Sequence, residues 1–170
     1  MYDHRYLHCD ILIVGGGISG LMAAKIASDN NNKVLLLEDK ELLGGSLIHD
    51  DNDISKIDGQ KSSDWLRKLI DNINKDKNIL IKTRTSLAAY HNYNFLLARQ
   101  NLTDHLSIND RSNKIRQRLY KIRAKKVIIS SGAIERPQVF HNNDRPGIML
   151  ASAVKKYIDY YGVRCGLENV

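Results

Sequence analysis

Apolar residues run unbroken through Ile11-Leu12-Ile13-Val14, and again through Val34-Leu35-Leu36-Leu37 between Lys33 and Glu38. These runs predict strands over 10–14 and 33–38. Strands that are almost wholly apolar belong to a parallel sheet covered on both faces. Between them the pattern predicts a tight glycine turn over 15–20 and a helix over 18–29. That helix carries Leu21, Ala24, Ile26 and Ala27, and Asn30-Asn31-Asn32 ends it. Residues 39–60 read mostly as loop. Ser63 is placed to cap a helix running to about Asn74, with Trp65, Leu66, Leu69, Ile70 and Ile73 on one side. Residues 78–83 form a further strand. The pattern then changes, and segments near 85–90, 94–100 and 117–124 read as antiparallel strands. Residues 126–131 return to a buried parallel strand that ends in Gly132, and a helix follows from about Leu150 to Tyr161, closed by Gly162.

The turn between the first strand and helix reads Gly15-Gly16-Gly17-Ile18-Ser19-Gly20. A GxGxxG alone is a weak signal. This one follows a strand, opens a helix, and has Glu38 at the end of the next strand. Gly15 permits the turn, Gly17 lets a pyrophosphate approach the backbone, and Gly20 lets helix and strand pack closely. The helix N-terminus offers N–H groups to phosphate. Glu38 is placed to accept hydrogen bonds from ribose hydroxyls and to repel an extra 2′-phosphate, which favours NAD or FAD over NADP. Gly44-Gly45 and the turn at Ser131-Gly132-Ala133 also suit close passage of a dinucleotide. The expected fold is α/β: a Rossmann-like FAD/NAD(P)-binding fold with a parallel sheet and an inserted antiparallel β-meander. The expected organisation is a single dinucleotide-binding domain over 1–170, truncated at its C-terminus, with a second nucleotide domain missing.

Composition narrows the function classes. The chain has 170 residues, 42% hydrophobic and 26% charged, which is ordinary for a globular domain. No apolar run reaches the roughly 18 residues that span a bilayer, and no secretory signal is visible. The two cysteines, Cys9 and Cys165, form no metal or redox motif, and His4, His8, His49, His91, His105 and His141 show no metal spacing. Cys9 is expected as a small buried residue, in a reduced cytoplasmic setting. Much of the net charge of +7 falls between Arg111 and Lys126. There the basic residues largely alternate with Leu119, Ile122 and Ala124, as on a wet strand face. Tyr120 is the one aromatic among them, so a solvated face or subunit contact is expected and nucleic acid is not. The polar loops at 134–137 and 142–147 suggest no general mechanism, and an ion pair such as Glu135 with Arg145 is one simple explanation for them. No acid–base pair or nucleophile stands out, so no catalytic residue and no metal ligand is assigned.

Several stretches resemble a known family. They are Tyr2 to Tyr6 with His8-Cys9-Asp10, the glycine turn with Glu38-Asp39, Gly44-Gly45-Ser46-Leu47, and Arg84-Thr85-Ser86 leading into Tyr90 to Tyr93. The most specific runs from Arg118 to Lys125 and on through Ser131 to Pro137, then from Asn142 to Ala151. Together they resemble the alpha subunit of heterotetrameric sarcosine oxidases over nearly the whole chain. The resemblance implies an NAD in the dinucleotide site, an FMN and an FAD elsewhere in the complex, and beta, gamma and delta subunits as partners. It implies a flavin-dependent oxidation of sarcosine to glycine, with a formaldehyde-level carbon able to pass to tetrahydrofolate and with hydrogen peroxide as product. By position it implies NAD contacts at Ser19, Glu38, Asp39, Lys40, Ser46, Ser86 and Leu87, beside Gly15, Gly17, Gly20, Gly45, Ser131 and Gly132 from the motifs. Ile18-Ser19 stands where Pro-Ala is usual in the family, and Lys40 where arginine is common. Two alternatives stay open: an FAD-binding subunit of a related amine or opine dehydrogenase, and a folded remnant without catalysis.

Overall fold

A computed structural model describes residues 1–49 and 56–166. Strand β1 spans Tyr2–Val14, helix α1 Ile18–Asp29 and strand β2 Val34–Leu37. A 3-10 turn at Gly45–His49 and a small hairpin, β3 (Lys56–Ile57) with β4 (Gln60–Lys61), lead into helix α2 at Ser62–Lys75. Strands β5 (Ile79–Lys82), β6 (Thr85–His91), β7 (Phe95–Asn101) and β8 (Gln117–Ile129) follow, then helix α3 at Ala151–Asp159. The main sheet has the order β5-β2-β1-β8-β7-β6. Its β5-β2-β1-β8 part is parallel, and β8-β7-β6 is an antiparallel meander. The Rossmann-like α/β fold with an inserted meander is therefore what the chain adopts.

The apolar runs are explained by burial on both faces. Ile13, Val34 and Leu36 pack on one side with Leu21, Ala24 and Ala27 of α1 and Leu66, Leu69 and Ile73 of α2. Leu12, Leu35 and Leu37 point the other way and meet Leu96, Ala98, Tyr120 and Ile122, so the meander covers the second face. Period-two alternation of side chains sends neighbours in one strand into different cores. Cys9 and Leu87 pack at the rim of the second core.

Some expectations are corrected. The first strand begins at Tyr2 rather than at residue 10, because Tyr2 to Cys9 pair residue for residue with Gln117 to Ala124. Half-exposed strands of this kind carry no apolar run to mark them. The segments at 117–124 and 126–131 are one continuous strand. It ends at Ile129, with Ile128 37% and Ile129 60% exposed, so its C-terminal part is not buried. Helix α2 starts two residues early, with Lys61 at the N-cap position and no side-chain cap, which leaves Ser63 inside the first turn. Ile26 is exposed on α1. Tyr120 is buried, its hydroxyl donating to Gln100 Oε1 at 2.9 Å, so it forms no surface platform. Glu135 meets Ser152 rather than Arg145. Its Oε2 accepts from the Ser152 N–H at 2.9 Å and the Ser152 hydroxyl at 2.6 Å, where a carboxylate complements the positive end of α3.

Candidate dinucleotide site

The glycine turn is held by the protein's own backbone. Gly15 has φ +108°, and a β-carbon there would lie 2.3 Å from the Ser130 carbonyl oxygen. A β-carbon on Gly20 would lie 1.9 Å from the Gly15 oxygen, so only glycine allows α1 to approach the turn this closely. Gly17 differs: the nearest atom to an added β-carbon is Gly45 Cα, at 4.0 Å. Space is therefore left in front of Gly17, at the N-terminus of α1. That end has no side-chain cap and no acidic residue in its first turn, so its partial positive charge is not neutralised. Ser19 is exposed beside it.

Glu38 follows directly on β2 and is 7% exposed. Its Oε2 accepts from the Gly16 N–H at 2.6 Å and its Oε1 from the Lys40 N–H at 2.9 Å. Burial pushes its carboxyl above the ordinary carboxylate range. The Asp39 carboxyl beside it adds to this, and the two backbone N–H groups oppose it. Each carboxylate oxygen keeps a lone pair for a further donor. Asp39 and Lys40 are exposed at the same corner.

A second glycine turn backs the first. The Gly44 N–H donates to the Gly16 oxygen at 2.7 Å, and a β-carbon on Gly45 would come within 3.0 Å of Gly17 Cα. Gly45 has φ +60°, a conformation that favours glycine. Ser46 follows, exposed, on this turn. The structure thus brings Gly15, Gly17, Ser19, Gly20, Glu38, Asp39, Lys40, Gly45 and Ser46 to one corner of the sheet.

The other expected residues lie further out. Ser86 is half-buried in β6 opposite Arg99, and Leu87 turns into the second core. They connect to the corner through Thr85, whose N–H donates to the Glu38 oxygen at 2.8 Å. Ser131 and Gly132 are exposed just past the end of β8. Sequence reasoning missed Ser130. Its hydroxyl donates to the Val14 and Gly15 oxygens at 3.0 and 3.1 Å and pins the first turn from behind. It also missed Gly16 and Arg84. The Arg84 N–H donates to the Lys40 oxygen at 2.8 Å and its guanidinium pairs with Glu41 at 2.6 Å, fixing the loop after Glu38. A small residue at the strand end was a signal for Ser130, whereas a positive φ at Arg84 leaves no trace in sequence.

A cavity of about 450 Å³ lies on the α2 side of the second turn, lined by Leu43, Leu47, Ile48, Leu66, Ile70 and Ile81 among others. Neither Gly15 to Gly20 nor Glu38 lines it, so it is separate from the glycine corner. Among the described residues no cluster of His, Cys, Asp and Glu could hold a metal ion, and no helix is long and apolar enough to cross a membrane. The corner's donors and acceptor suit a diphosphate at the α1 N-terminus and a vicinal diol at Glu38.

The chain is similar to known proteins in sequence and in fold. The chain is 41% identical over 169 residues to sarcosine oxidase subunit alpha of Corynebacterium sp. (strain P-1), covering 99% of this chain and 17% of that protein. It is 35% identical over 165 residues to the subunit of the same name from Rhizobium meliloti (strain 1021), covering 97% of this chain and 16% of that protein. The chain therefore spans about a sixth of the length of these relatives. In fold it is similar to L-proline dehydrogenase from P. horikoshii, with a TM-score of 0.71 at 22% identity over 96% of this chain and 30% of that one. Thioredoxin reductase from Streptococcus pyogenes MGAS5005 gives a TM-score of 0.53 at 23% identity, over 79% of this chain and 38% of that one. The family described as FAD dependent oxidoreductase matches residues 10–142, from the first core strand past β8, and the chain belongs to that family.

Proposed function

We propose that this chain is the dinucleotide-binding part of a sarcosine oxidase alpha-type subunit, and that it holds the ADP half of NAD. The observation that carries this is the contrast between its glycines. Gly15 and Gly20 are required by neighbouring backbone, whereas a β-carbon on Gly17, at the α1 N-terminus, would meet only Gly45 Cα, at 4.0 Å. A glycine with no internal reason to be one fits a phosphate approaching the main chain. The N–H groups of Ser19 and Gly20 would meet the pyrophosphate. Glu38 would accept from the ribose hydroxyls through its remaining lone pairs, with Asp39 and Lys40 at the adenosine edge. Gly45 and Ser46 would border the pyrophosphate, Ser86 and Leu87 the adenine side, and Ser131 and Gly132 the far end.

When bound, such a dinucleotide supplies a hydride-accepting ring. This chain's residues bind and orient the nucleotide half and shield it from water, and none of them is assigned an acid–base role. In this reading sarcosine is oxidised to glycine on a flavin held elsewhere, in a cytoplasmic complex with beta, gamma and delta subunits. A second reading puts FAD in the same corner, in an amine or opine dehydrogenase. The match to a family of FAD dependent oxidoreductases favours it.

Calorimetric titration with NAD, NADP and FAD separates the two readings. Saturable NAD binding that is lost in Glu38→Ala, with little response to FAD, is the expected result. Tight FAD binding that yields a yellow protein would replace the first reading with the second.

A further inference from the structure

The outer face of the meander sets cations beside aromatic rings. Side chains alternate between the two faces of a strand, and Leu96, Ala98, Tyr120 and Ile122 point inward to the second core. Phe95, Leu97, Arg99, Lys121 and Arg123 therefore point outward, and Tyr6 of β1 joins them as the register partner of Lys121. Helices α1 and α2 pack over Ile13, Val34 and Leu36 in the parallel part of the sheet. The outer face is left open, with Tyr6, Arg99 and Arg123 exposed. In sequence the basic run offered only Tyr120 for stacking, and Tyr120 is buried. Folding supplies other rings, from β1, β7 and the turn between β6 and β7.

The cations on this face meet rings and not carboxylates. Lys121 Nζ lies 5.2 Å from the centre of the Tyr6 ring, and Arg123 Cζ lies 4.7 Å from that of Phe95. The His91 ring lies 5.8 Å from Phe95, tilted by 32°. Residues 84–103 contain no Asp or Glu. Among the described residues no carboxylate forms an ion pair with Arg99, Lys121 or Arg123. Tyr93, in the turn between β6 and β7, has φ +59° and is 91% exposed. A bulky residue in the left-handed region is costly, and the Tyr93 ring stacks on no other ring or cation among the described residues. The Arg123 guanidinium donates to the Tyr93 oxygen at 3.2 Å, so this free ring adjoins the same row of cations.

Uncompensated positive charge beside exposed rings suits a polyanion that carries flat groups to stack. The size of the face points the same way. Four strands about 4.8 Å apart, each with about seven residues at about 3.3 Å, give roughly 14 by 23 Å. That is less than half of the about 800 Å² per partner that a stable protein interface covers. It matches the four-stranded sheets on which two or three bases stack.

We propose that the outer face of β1, β8, β7 and β6 binds single-stranded nucleic acid, a function separate from dinucleotide binding at the glycine corner. Arg99, Lys121 and Arg123 meet the phosphates, and bases stack on Tyr93 and Tyr6.

Fluorescence anisotropy of the chain with labelled oligouridylate and oligothymidylate tests this. Saturable binding of one or both at low salt is expected. The logarithm of affinity should fall against that of salt with a slope of about −2, at about 0.7 for each of three phosphates neutralised. Tyr93→Asn keeps a residue that tolerates the left-handed backbone and removes the ring, and should weaken binding about tenfold. The triple variant Arg99→Gln, Lys121→Gln and Arg123→Gln should abolish binding, whereas Lys77→Ala at the opposite edge of the sheet should leave it intact. These positions are at the surface, and circular dichroism checks that each variant folds. Absence of binding at about 50 mM salt overturns the proposal, as does unchanged affinity in Tyr93→Asn or in the triple variant. Displacement of the oligomer by NAD or FAD would put it in the glycine corner and also overturn the proposal. Displacement by poly-L-glutamate as effective as by unlabelled oligomer would do the same, and would assign the face to an acidic protein.

Discussion

The carboxylate of Glu38 lies 2.6 Å from the main-chain nitrogen of Gly16 and so ties the end of β2 to the glycine turn. A group placed to receive ribose hydroxyls thereby also shapes the turn that meets the phosphates. Glu38→Ala leaves the Gly16 N–H without its acceptor. It should cost about 1–3 kcal/mol of stability as well as NAD affinity. Thermal unfolding and calorimetry on the same variant separate the two losses.

The Glu38 carboxyl titrates above its ordinary value of 4.5, chiefly through burial and then through Asp39. The folded state thus holds the proton to a higher pH than the unfolded state. Stability is unaffected by this group below the unfolded pKa, falls as pH rises towards the folded pKa, and stays lower above it. Binding runs the other way, since ribose hydroxyls need the carboxylate. NAD affinity should rise with pH through the folded pKa of Glu38, and in Glu38→Gln that rise should vanish. Titrations across the mildly acidic range check this, and a flat profile in the unaltered chain would contradict it.

Gly17 and Gly20 should respond oppositely to alanine. Gly20→Ala forces a β-carbon to within 1.9 Å of the Gly15 oxygen and should destabilise the fold, by about 1–3 kcal/mol for overpacking of this kind. Gly17→Ala meets nothing closer than 4.0 Å, and Gly17 has φ −73°, which alanine accepts. Its melting temperature should stay close to that of the unaltered chain, while dinucleotide binding falls at least about tenfold from steric exclusion of the pyrophosphate. A Gly17→Ala variant that binds normally would remove the main support for the site.

Much of this corner was legible because its rules are local. The apolar runs at 11–14 and 34–37, the glycine spacing and the position of Glu38 each follow from the needs of one strand, turn or helix. What was not legible depends on distant partners. Tyr2 to Cys9 look unlike a strand, and join the sheet because residues 117–124 lie alongside them. Tyr120 sits in a basic run, and its burial depends on Leu96 and Leu12 approaching from elsewhere. Ile128 and Ile129 read as buried because they are apolar, and sequence alone does not say which neighbour is present to cover them.

The Arg118 guanidinium grips Asp3 through three contacts of 2.8 to 3.1 Å, joining the starts of β1 and β8. This hydrogen bonding holds the Asp3 carboxyl below its ordinary value of 3.8. Its contribution is therefore present above the unfolded pKa and is lost as pH falls through the folded one. Asp3→Asn should lower the melting temperature at neutral pH and flatten the acid side of the stability profile. Equal melting temperatures at pH 7 would show that the pair contributes nothing net, as exposed ion pairs often do.

The partnership of β1 with β8 has a consequence for how the chain reaches its native form. Strand β1 waits for a partner more than a hundred residues later, and Asp3 meets Arg118 across 115 positions. Closing so long a loop precedes any gain from the pairing, and sheets dominated by such distant contacts fold slowly. While β8 is still unmade, β1 can pair only over Ile11–Val14 with β2, and its outer half has no neighbour. Translation that stalls before residue 117 should therefore yield a nascent chain that depends on chaperones, whatever nucleotide is present.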